Sequence, residues 1–93
     1  MNETVEVNHY WSLEHTVSRS FNRLKAKLFS LIEASSDSSE QVDALKNLVR
    51  GFANDEYRLC IEDMRAMAKV AKFIPENDQS LPIAAEPLET YTL

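Results

Sequence analysis

The sequence predicts an all-α protein: an antiparallel helical hairpin of two long helices, the second with a candidate kink near Gly51, that dimerises into a four-helix bundle. Three observations carry this. Apolar residues recur at helical spacing over two stretches, about Tyr10 to Ala34 and about Val42 to Ile74. A polar six-residue hinge, Ser35 to Glu40, separates them. A single glycine in 93 residues leaves little supply of the positive-φ turns that a β-rich fold needs.

Residues 1–8 read as a flexible acidic arm. Thr4-Val5-Glu6-Val7 alternates as a short strand would, but over too few residues to define one. Helix one then carries Tyr10, Leu13, Val17, Phe21, Leu24, Leu28 and Leu31, spaced three and four apart like a coiled-coil seam. Phe29 and Ile32 widen this stripe, which suits a helix with more than one neighbour. Asn8 or Ser12 is the expected N-cap.

The hinge should stop one helix and cap the next. Ser38 with Gln41, or Asp37 with Glu40, has the capping-box spacing. So short a connection makes the helices antiparallel neighbours. In helix two, Leu45, Val49, Phe52, Cys60, Met64, Met67, Ala71 and Ile74 share a face, interrupted by Glu56 and Asp63. Because the stripe keeps its phase across Gly51, we expect one continuous helix that ends before Pro75. Leu24, Leu28, Leu45, Phe52 and Met64 are the expected core anchors, and Leu24→Ala should cost ~2–5 kcal/mol.

A helix over residues 40–74 would outreach a helix one that starts near residue 10. The overhang would leave Met67, Val70, Phe73 and Ile74 as an apolar surface for a second copy or another partner. Residues 75–93 form an extended acidic tail with three prolines. Its apolar residues Leu81, Ile83 and Leu88 are the expected partner-binding positions.

Charge is unevenly placed. All ten Lys and Arg lie within residues 9–74, so a near-neutral helical body carries acidic ends and the whole chain has a formal charge of −5. Arg19, Arg23 and Lys27 make a basic stripe at i, i+4, i+8, and Arg58, Arg65, Lys69 and Lys72 make a second. These are the positions that could contact nucleic acid. The net negative charge and the absence of helix-turn-helix spacing disfavour that partner. The acidic opening residues lack the apolar run of a secretory signal, no segment has the ~20 apolar residues needed to span a membrane, and Cys60 is unpaired. We expect a cytoplasmic protein with no membrane partner.

No catalytic constellation stands out. His9 and His15 diverge on a helix. There is no phosphate loop, CxxC or HExxH pattern. We therefore expect no enzyme activity, no cofactor and no metal. Three functional readings remain. The first is a protein-interaction or regulatory module, a homodimer that uses its bundle surface and acidic tail. The second is a nucleic-acid-associated protein. The third is a carboxylate metal or enzyme site at a dimer interface, built on Glu56 and Asp63.

Overall fold

The computed structural model describes residues 3–35, 37–75 and 82–87. Among them are two α-helices and no strand: α1 (Glu3–Ser35) and α2 (Ser39–Val70), packed against each other as a hairpin. Register is tight. Glu14 meets Arg65, Lys25 meets Asn54 and Phe29 meets Arg50, and each pair of residue numbers adds to 79.

The hinge behaves as its composition dictates. Ser38 is extended and its hydroxyl accepts a hydrogen bond from the Gln41 backbone N–H at 3.2 Å, so one orphan amide of α2 is satisfied. Gly51 lies inside an unbroken α2. Open space surrounds it, so no close approach of another chain segment explains a glycine there.

Three expectations are corrected. The first concerns the helix ends. α1 begins at Glu3, so neither Asn8 nor Ser12 caps it, and the Ser12 carbonyl instead accepts the Thr16 hydroxyl. α2 ends at Val70, four residues before the expected stop. The cause is a Schellman cap: Phe73 N–H bonds the Ala68 carbonyl at 2.8 Å and Lys72 N–H bonds the Lys69 carbonyl at 3.1 Å. Lys72 takes the left-handed conformation, φ 64°, that glycine usually fills there. The chain then turns Ile74 back into the hairpin.

The second correction follows from the first. Val70, the last residue of α2, is level with His9, and α1 starts earlier, at Glu3, so α2 does not outreach α1. Tyr10, Ala68 and Ile74 close the end as a buried cluster, with Trp11 and Met64 packed on it. Ile74 is therefore core, while Met67, Val70 and Phe73 are exposed.

The third concerns which stripe is buried. Leu24, Leu45 and Phe52 are exposed, Leu24 by 48 % and Phe52 by 70 %. Leu28 and Met64 are half-buried. The interior holds Tyr10, Ser18 and Lys25 from α1, and Ala53, Tyr57, Ile61 and Ala68 from α2. Phe21 stacks edge-on against Tyr57 at 5.8 Å. The physical reason is that α1 carries two apolar rows, and a lone neighbour can cover only one. Burial of apolar area is non-directional, so it does not choose between the rows. Directional polar pairs do: Glu14 and Lys25 must reach Arg65 and Asn54 on α2, which turns Leu13, Leu24 and Leu31 outward.

The hairpin is a slab of 57 × 26 × 16 Å. A slab one helix thick has two broad sides, and they differ in kind.

Candidate interaction surface

One side is covered by charge and by the tail. Arg65 crosses from α2 to grip Glu14 with two hydrogen bonds, Nε to Oε2 at 2.7 Å and Nη2 to Oε1 at 3.0 Å. Tyr10 donates its hydroxyl to the same carboxylate at 2.6 Å. The Arg65 guanidinium also lies 5.2 Å from the Trp11 ring, a cation–π contact. Burial, followed by the hydrogen bond to Glu14, raises the pKa of Tyr10 well above the ordinary tyrosine range. Nearer the hinge, Lys46 and Arg50 lie over Phe29, and Lys46 pairs with Glu33.

Between these groups sits Lys25, only 5 % exposed. An ammonium so buried needs partners. It donates to Asn54 Oδ1 at 2.9 Å and to Glu86 of the tail at 3.1 Å. Glu86 borders a groove of about 470 Å³ lined by Asn22, Arg23, Lys25, Ala26, Phe29 and Arg50. The Lys25 hydrogen bond and charge hold the Glu86 carboxyl below the usual glutamate range. Beside it, Pro87 is buried and Ile83 half-buried. The tail is thus held in cis at this point. Leu81 and Leu88, two of its three expected partner-binding residues, lie outside the described residues.

The opposite side is apolar and open. At about 100° per residue, Leu13, Leu24 and Leu31 fall within about 20° of one another. They lie on the flank of α1 away from Trp11 and Phe29. On α2, Leu45, Phe52, Met67 and Val70 occupy the flank away from Arg65 and Asn54. Because Arg65, Lys46 and Arg50 reach Trp11 and Phe29 on the charged side, both apolar rows face the other way together. Leu48 and Leu59 extend the patch outward. Glu56 and Asp63 sit within the α2 row, both exposed.

The remaining candidates do not converge. Arg23 and Lys27 are exposed and Arg19 is half-buried. Arg23 borders the groove of the tail, and Arg19 lines a separate depression with Trp11, His15 and Thr16. Arg65 of the second basic stripe is bound to Glu14. His9 and His15 are exposed, and Cys60 is a half-buried free thiol. Among the described residues no group of three or more His, Cys, Asp or Glu could hold a metal, and no helix is long and apolar enough to cross a membrane.

Sequence reasoning missed the Glu14–Arg65 and Lys25–Glu86 pairs. A signal for the first existed. Reflecting the chain about its hinge restricts each residue's partner to within about a turn, and the joint match of Glu14 with Arg65 and Glu33 with Lys46 selects the register. No such rule reaches Glu86, which has no fixed spacing from the helices.

The chain matches no protein-family model, no curated protein and no solved structure.

Proposed function

We propose that this chain is a non-enzymatic protein-interaction module whose working unit is a pair of hairpins joined through their apolar sides. The observation that carries this is the open row of Leu13, Leu24 and Leu31 beside Leu45, Phe52, Met67 and Val70. These seven large apolar residues are each 39–84 % exposed, whereas monomers rarely leave contiguous apolar patches larger than a few hundred Å². Covering both apolar sides at once would give a four-helix bundle, the usual solution for helices with two apolar flanks.

The acidic tail is the second element of the proposal. Glu86 fastens it to the side that the pairing leaves free, and Leu81, Ile83 and Leu88 are its apolar anchors for a further protein. The module would thus join copies of itself on one side and offer an acidic, proline-containing segment on the other.

Sedimentation equilibrium at micromolar concentration tests the pairing. We expect about twice the chain mass of 10.6 kDa. Phe52→Ser should give a monomer with an unchanged helical spectrum, because Phe52 is not part of the fold's interior. A wild-type chain that stays monomeric throughout the range would sink the proposal.

A further inference from the structure

We propose that the two hairpins meet with α1 of one copy over α2 of the other, about a two-fold axis parallel to the helices, and that Lys27 of each copy faces Glu56 of the second copy. This rests on the self-association argued above and specifies its geometry.

The open side is electrically divided. Over residues 9–35 its α1 half presents Leu13, Ser20, Leu24, Lys27 and Leu31, with one base and no acid among these described side chains. Its α2 half presents Leu45, Phe52, Glu56, Asp63, Met67 and Val70, with two acids and no base. A two-fold pair of such sides has two arrangements. With the axis across the helices, like lies on like and the order reverses. Glu56 lies near the middle of the paired length, so this arrangement sets the two Glu56 carboxylates against each other near the axis, while each Asp63 stands about 10 Å along the helix with no base on the facing α2 row. Desolvating like charges together is unfavourable.

With the axis along the helices, heights are preserved. Each α1 residue then stands level with the α2 residue that completes the sum of 79, on its own copy and on the other. Lys27 is level with Phe52, one helical turn or about 6 Å from Glu56, within the reach of its side chain. Leu31 is level with Leu48, between Leu45 and Phe52. Leu24 comes between Phe52 and Leu59, and Leu13 falls beside Met67. Ser20 stands between Glu56 and Asp63, where its hydroxyl can donate to either carboxylate. Apolar residues therefore meet apolar residues, and each acid meets a base or a hydroxyl.

Charge exchange tests this, with the dimer dissociation constant read by sedimentation equilibrium. Lys27→Glu and Glu56→Lys should each weaken the dimer roughly threefold to tenfold, since each spoils two partly exposed pairs. An equimolar mixture of the two single variants should recover the wild-type constant within about twofold, because every unlike contact returns in the mixed dimer. Recovery in the mixture also separates pairing between copies from pairing within one. If Glu56→Gln, which removes the charge without reversing it, tightens the dimer and Lys27→Glu does nothing, like lies on like and the proposal is overturned. A dimer indifferent to all three conditions overturns it as well. A monomeric wild type refutes the self-association itself, a result distinct from a dimer in which mixing fails.

Discussion

Glu14→Ala should be the most damaging single exchange in the chain outside the apolar interior. The Glu14 and Arg65 side chains are only 12 % and 13 % exposed, and three hydrogen bonds converge on the carboxylate. Truncation leaves a guanidinium against Trp11 without its counter-ion, and a Tyr10 hydroxyl without its acceptor. Breaking a buried pair by removing one member costs about 3–5 kcal/mol. Residual solvent access at both groups discounts this to about 2–3 kcal/mol. A domain of this size has about 5 kcal/mol of stability in all. With a urea slope near 1 kcal/mol per molar, the midpoint should fall by about 2–3 M. Helical circular dichroism at one fixed chain concentration measures this, since self-association would also shift the midpoint. Replacing both members, Glu14→Leu with Arg65→Leu, should recover most of the loss, because the cost lies in the orphaned charge. A loss under about 1 kcal/mol for Glu14→Ala alone would mean that the pair is solvated and does not set the register.

Three further outcomes are expected. Ile61, only 1 % exposed, should cost about 2–5 kcal/mol as Ile61→Ala, whereas exposed Leu24→Ala should cost under about 1 kcal/mol in a chain held monomeric by Phe52→Ser. Equal losses in urea melts would return Leu24 to the core. Lys72→Gly should raise stability by about 0.5–1 kcal/mol, since glycine adopts the left-handed cap without steric cost, and an unchanged melting temperature would count against the cap. Acid should release the tail: the depressed Glu86 carboxyl contributes stability above the usual glutamate value of about 4.3 and loses it as pH falls through its lowered value. Carbon NMR should show Glu86 titrating below the usual range, and returning to it in Lys25→Met; identical midpoints would show that Lys25 does not hold the tail.

Much of the fold was legible from particular residues. Ser38 with Gln41 marked the start of α2, the unbroken phase across Gly51 marked its continuity, and the short hinge marked the antiparallel pairing. Helix ends were less legible. The Schellman turn at Lys72 has no sequence signature without glycine, and residues 3–8 lack the apolar spacing that identifies a helix from a single chain. The candidate surface was legible in composition and misplaced in space. Leu24, Leu45 and Phe52 were recognised as apolar helix positions and assigned to the interior of one chain, whereas the structure places them on its open side.

Periodicity, capping residues and hinge length are local, and by themselves they determined two helices, their boundary and their antiparallel order. Which of two apolar rows on α1 turns inward is not a local property. It depends on directional contacts between residues far apart in the chain, Glu14 with Arg65 and Lys25 with Asn54 and Glu86. Only the tertiary structure brings those groups within hydrogen-bonding distance, and in doing so it decides which apolar residues are covered and which, such as Leu13, Leu24 and Leu31, stay exposed.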